Sequence, residues 1–425
     1  MSNRTLIIDG RVIDPSQKLD QITSLLWEDG KIVALGAAPR GDEQIISAAG
    51  KVVAPGLVDI HTQLREPGCE EDETIATGGA AALAGGYTTI ACLPETDPPI
   101  DTPAAVEFVR QKAARARHCN VYVIACVSKD REGKELAEIG SLSEAGAVGF
   151  TDASRPIHNT DLLRRALEYC QMFDKPILNH PEVLELTRGG VMHEGSTSLV
   201  LGLGGMPAEA EDVMISRDIR LAESTGGRLH LMNISTVGSV ELIRRAKERG
   251  VRITAEISPA NFCFTDELLR SFDSRYKLNP PLRSRKHLAA CLAGLQNGVI
   301  DVIASCHSPR ASEKKMQEFD QAPFGMSSLE TALASVISHL VEPGLLTLSQ
   351  ALEKLTINPA RVLGLKKGTL HIGADADVVI FDAAEAWQVD PARFESKSSS
   401  TPFSGQTLRG RVEQVFVGGE SRWRR

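Results

Sequence analysis

The chain has 425 residues, of which 42% are hydrophobic, 24% charged and 4% aromatic, and its 47 basic and 55 acidic side chains leave a net charge of −8. That length provides a sizeable core for one large α/β domain with a smaller companion. The acidic balance offers no footprint for nucleic acid or anionic membranes, no apolar run approaches about 20 residues, and residues 1–9 carry no continuous apolar signal, so neither partner is expected and the expected location is cytoplasmic.

In chain order, residues 6–8, 24–27, 31–35 and 44–46 form short apolar strands separated by Asp-Gly and Pro-containing turns. Residues 376–381 and 411–419 repeat that texture at the far end, so residues 1–54 and 366–425 are expected to share one small β-sandwich domain. Between them, residues 55–365 alternate short apolar strands with helical stretches. Eight strands are expected at 58–60, 88–91, 121–125, 147–150, 176–179, 229–232, 252–255 and 302–304. Helices are expected at 77–84, 104–116, 161–173, 209–224, 237–248 and 287–296, where apolar residues recur at three and four. Eight βα units predict an α/β fold built on a (β/α)8 TIM barrel, with its chemistry at the carboxyl ends of the strands. The eight cysteines contain no Cys-x-x-Cys pair and read as reduced thiols. Gly202-Leu203-Gly204-Gly205 lacks dinucleotide or P-loop spacing and reads as a loop.

The strand ends present Asp59, His61, Gln63 and Arg65, then Glu95, Asp152, His180 and Asn233, and last Ser305, Cys306 and His307. Two histidines and a carboxylate from different strands are donors that Zn²⁺ accepts. His118, His158, His230 and His307 are expected to be satisfied polar groups rather than ligands.

Residues 55–68, Pro-Gly-Leu-Val-Asp-Ile-His-Thr-Gln-Leu-Arg-Glu-Pro-Gly, resemble the opening metal motif of the amidohydrolase superfamily, and of its dihydroorotases in particular. The resemblance continues at Gly85-Gly86-Tyr87-Thr88-Thr89, at residues 277–283, at Ala322-Pro323-Phe324-Gly325, at Asn358-Pro359-Ala360-Arg361 and at residues 401–405, and so covers essentially the whole chain. It implies an amidohydrolase-type barrel that interconverts carbamoyl aspartate and dihydroorotate at a metal centre. It also exposes departures. The second histidine of the family's His-x-His pair is Gln63, the asparagine that helps hold the substrate carboxylate is Glu95, and the strand-six histidine is Asn233. The family's Thr-Asp-His-Ala-Pro-His, whose aspartate is ligand and base, reads Ser305-Cys306-His307-Ser308-Pro309-Arg310. Asp152 and His180 match the strand-four and strand-five ligands, and Arg65 and Asn279 match substrate-binding positions.

A glutamine carbonyl is a poor zinc donor beside imidazole, a thiol is a poor base at neutral pH, and a glutamate about 4 Å from an anionic substrate costs on the order of 4 kcal/mol. These departures lead to the expectation of no catalytic residues, no cofactor and a non-catalytic role: a dihydroorotase-like subunit of aspartate transcarbamoylase in pyrimidine biosynthesis, in a hetero-dodecamer. The open alternatives are an active metal-dependent cyclic amidohydrolase with a remodelled single-metal site, a structural zinc closed off by His61, His180, Asp152 and Cys306 with no open position, and a homo-oligomeric scaffold.

Overall fold

The computed structural model describes residues 4–425; residues 1–3, where the expected terminal domain begins, lie outside the described residues. Five strands open the chain: β1 (Arg4–Asp14), β2 (Leu19–Glu28), β3 (Lys31–Leu35), β4 (Gln44–Ser47) and β5 (Val52–Pro55). The barrel strands follow as β6 (Leu57–Thr62), β7 (Tyr87–Cys92), β8 (Asn120–Ala125), β9 (Ala147–Phe150) and β10 (Ile177–Asn179). After the two-residue strands β11 (Met192–His193) and β12 (Gly205–Met206) come β13 (Leu229–Leu231), β14 (Ile253–Ile257) and β15 (Val302–Ile303). The chain ends in β16 (Val378–Gln388), β17 (Thr407–Val417) and β18 (Glu420–Arg424).

The terminal strands form one eight-stranded sheet, because β16 pairs antiparallel with β5 and sets Val379 opposite Ala54. Its core alternates along the strands, from Ile7, Val12, Leu25 and Trp27 to Val378, Ile380 and Phe416, with the rings of Trp27 and Phe416 edge to face at 5.0 Å.

The eight barrel strands lie side by side in the order β15-β14-β13-β10-β9-β8-β7-β6, all parallel. The first and last meet where Thr62 bridges His307 and the Gln63 amide donates to the His307 carbonyl at 2.8 Å. Parallel strands covered on both faces favour apolar residues on either side, which explains their largely hydrophobic character. Val58, Ile60, Ala91, Ile124, Leu178, Met232, Val302 and Ala304 fill one cluster, while the outward residues pack under the helices. The helix Thr160–Cys170 buries Leu162, Leu163, Ala166, Leu167 and Cys170, a three-and-four stripe. It stops short of the expected residue 173, giving way to a 3₁₀ turn over Gln171–Phe173 that closes at Asp174, whose φ of 49° cannot continue a right-handed helix. Gly202 caps the short helix Ser196–Leu201 at a φ of 68°, and the glycine run serves as a loop. No helix among the described residues is long and apolar enough to cross a membrane.

Candidate active site

At the carboxyl end of the barrel, His61 from β6, Glu256 from β14 and Cys306 just past β15 point their donor atoms together, all within 4.8 Å of one another and all buried. Glu256 is fully buried, with one oxygen 2.5 Å from His61 Nδ1 and the other 3.1 Å from His230 Nε2. Burial alone would raise its carboxyl, but His61 and His230 outweigh that and hold it down to about 2. In return the carboxylate keeps the His61 imidazolium above its ordinary range against the opposing pull of burial. The Cys306 thiol is pushed well up by burial and by the charges of Glu256 and Asp59, and donates to Asn233 Oδ1 at 2.6 Å. Cys306 and Asn233 adopt φ of 54° and 51°, a left-handed backbone that costs a non-glycine residue roughly 1–2 kcal/mol and here turns both side chains inward.

Glu256 was not among the sequence candidates, although a carboxylate inside the run Ile253-Thr254-Ala255-Glu256-Ile257 was the available signal, since an ionised group in a buried strand needs a partner. His230, expected to be an ordinary polar group, is the second imidazole on that carboxylate.

Asp152 and His180 are not brought to this cluster. Asp152 turns its carboxylate to the end of β8, accepting from the Val127 and Ser128 amides at 3.0 Å each and from Ser128 Oγ at 2.5 Å. His180 lines the cavity but sits 3.3 Å from Glu182, whose carboxyl is held down to about 2 by His180, Asn279 and Thr187 despite burial. His61 and Cys306 therefore meet Glu256 rather than Asp152 and His180, because Asp152 is taken by the Val127 and Ser128 donors and His180 by Glu182.

Gln63, Glu95, Asn233 and Asn279 line a cavity of about 290 Å³. Gln63 spends its amide there, donating to Glu95 at 2.6 Å and Ser154 at 2.9 Å and accepting from Ser308 at 2.7 Å, so its carbonyl does not face the donor cluster. Asn279 donates to Glu182 at 2.8 Å. Arg65 lies behind the wall, 2% exposed, with NH1 3.4 Å from Glu95. Asp59 serves the framework, accepting from the Ser305 amide and hydroxyl, and His307 pairs with Glu73 at 3.3 Å. His118 and His158 lie outside the cavity.

Imidazole nitrogen, carboxylate oxygen and thiolate sulfur are all zinc donors, and three of them converging beside a cavity fit a metal with an open position. Residues 52–422 match the profile of the Amidohydrolase family. The chain belongs to the amidohydrolase family. It is 48% identical over 417 residues to a dihydroorotase of Pelotomaculum thermopropionicum, covering 98% of this chain and 97% of that one. It is 47% identical over 420 residues to a dihydroorotase of Syntrophus aciditrophicus, covering 98% of each. Its fold superposes on the L-hydantoinase (dihydropyrimidinase) of Arthrobacter aurescens with a TM-score of 0.89 at 25% identity, covering 99% of this chain and 96% of that one.

Two expectations are corrected. A non-catalytic role is overturned by whole-length identities near 45–50% to amidohydrolases named for an enzyme. The expectation of no cofactor falls with the buried donor group, in which a carboxylate distant in sequence stands beside His61 and Cys306. Gln63 and Asn233 take two expected ligands away and Cys306 exchanges a third, whereas the fold brings Glu256 in from a strand that none of these changes touches.

Proposed function

We propose that this amidohydrolase is a metal-dependent cyclic amidohydrolase, dihydroorotase or related, working at a remodelled single-metal site. The observation that carries this assignment is the buried convergence of His61, Glu256 and Cys306 at the carboxyl end of the barrel, beside a cavity of small-ring size. The whole-length relatives named dihydroorotase support the same chemistry.

His61, Glu256 and Cys306 would hold the metal, which when bound supplies a Lewis acid for the amide carbonyl and an acidified water. The chain's own groups do the rest. His230 pins the second oxygen of Glu256, and Asn233 accepts a hydrogen bond from the Cys306 thiol, whose proton metal binding would release. Asn279 and Asn261 line the cavity with amides that can orient a ring, Asn279 tied to Glu182 and Asn261 to Ser258.

Metal analysis and a cyclic-amide turnover assay on the zinc-reconstituted protein test the proposal. About one equivalent of zinc is expected, with metal and turnover both lost in His61→Ala and Cys306→Ala. A protein that takes up no zinc and opens no ring overturns it.

Association with aspartate transcarbamoylase is a separate proposal about assembly, supported by the motif resemblance and compatible with turnover. The mass of the native complex tests it, and a free homo-oligomer at natural abundance refutes it.

A further inference from the structure

Resting on that assignment of a cyclic-amide site, we infer that its ligand is an uncharged cyclic amide, and that Glu95 is the specificity-determining residue that turns away a ring bearing a carboxylate.

Glu95 stands on the cavity wall after β7, its side chain 25% exposed. One carboxylate oxygen accepts from Gln63 Nε2 at 2.6 Å and Ser154 Oγ at 3.0 Å. Burial pushes its carboxyl up, but Arg65, Arg131 and Arg310 together hold it below the ordinary range, so the wall carries a fixed negative charge. The cations that keep it ionised are themselves committed. Arg65 directs NH1 at Glu95 and spends Nε and NH2 on the Pro309 carbonyl and Ser308 Oγ. Arg131 donates to the carbonyls of Asp152 and Ala153, with NH2 3.9 Å from Glu95. Arg310, the guanidinium on the wall itself, donates from Nε to the Phe324 carbonyl and sets NH1 3.4 Å from Asp72.

Glu95 thus occupies the guanidinium that a ligand carboxylate would seek, and an anion entering the cavity meets the glutamate ahead of Arg65. With NH1 toward Glu95 and Nε and NH2 on the Pro309 carbonyl and Ser308 Oγ, Arg65 has no bidentate face left to offer. Much of the remaining wall is neutral: Asn233, Asn261, Asn279, Ser258 and Ser308 present amides and hydroxyls. Those groups complement the carbonyl and N–H edges of an uncharged ring, which a cavity of about 290 Å³ accommodates.

Dihydrouracil and dihydroorotate, the same ring without and with a carboxylate, are matched probes. Calorimetric titration of the zinc-loaded protein is expected to show dihydrouracil bound at least tenfold more tightly. Glu95→Gln, which keeps the side-chain length and removes the charge, is expected to narrow that ratio tenfold or more through tighter dihydroorotate binding. Wild-type protein that prefers dihydroorotate, or binds both rings equally, overturns the inference without any variant; a ratio unchanged in Glu95→Gln overturns the role of Glu95. If dihydroorotate is bound and opened while dihydrouracil is ignored, this inference fails and the cyclic-amide assignment stands. If neither ring is bound or opened, both fail.

Discussion

His61 and Glu256 lie 195 residues apart in the chain and 2.5 Å apart in the fold, joining the first barrel strand to the seventh across the mouth of the barrel. Each holds the other in its charged form inside a buried site, and a metal ion can take the place of the proton between them. Removing one member leaves an uncompensated buried charge. Glu256→Ala should therefore destabilise the metal-free protein by about 3–5 kcal/mol and abolish zinc uptake. Urea denaturation with and without zinc measures both, and a variant as stable as wild type would show that the pair carries no such charge.

Cys306 provides the soft donor. Cys306→Ser keeps the size and the hydrogen bond to Asn233 but removes the thiolate, so zinc affinity should fall roughly 10- to 100-fold with little change in the melting temperature of the metal-free protein. Competition with a chromogenic chelator reads the difference, and unaltered zinc affinity would remove Cys306 from the ligand set.

Glu73 ties the segment after β16 to the barrel. Its carboxylate accepts from His307 Nε2 and from Ser396 Oγ at 2.5 Å, both buried, and from the half-buried Lys397 amide at 3.3 Å. Glu73→Ala leaves these donors unmatched, so a loss of about 1–3 kcal/mol is expected, with earlier proteolytic cleavage near residues 394–400. Equal cleavage rates in the two proteins would contradict that tie.

Glu330 gives stability a pH dependence of definite sign. Burial raises its carboxyl from 4.5 to about 8, while the Glu395 and Ser396 amides that it accepts from oppose the rise. The folded chain binds this proton more tightly than the unfolded chain, so the contribution is fully present below about pH 4.5 and is lost as pH rises to about 8. Glu330→Gln retains an oxygen for both amides, since both donate to Oε1. The variant should match wild type near pH 4.5 and exceed it at pH 8. Denaturant midpoints at the two pH values decide the matter, and parallel curves would refute it.

The barrel, its helices and the shared terminal sheet were legible in the residues alone, because burial imposes a local pattern: short, mostly apolar runs for parallel strands, three-and-four spacing for the helices, and alternation in β17. The strand-end motifs likewise placed His61, Gln63, Glu95, Asn233 and Cys306 at one end of the barrel. Which of them would share a site was decided only by tertiary structure. Asp152 and Glu256 are both carboxylates on barrel strands, yet the first is drawn aside by the Val127 and Ser128 amides while strand register sets the second against His61. Glu95 read alone was a repulsive charge, and three arginines from distant segments make it a stable part of the wall. Side-chain direction depends on register, on the left-handed turns at Asn233 and Cys306, and on competition among hydrogen-bond donors that lie far apart in sequence. None of these leaves a local period in the chain.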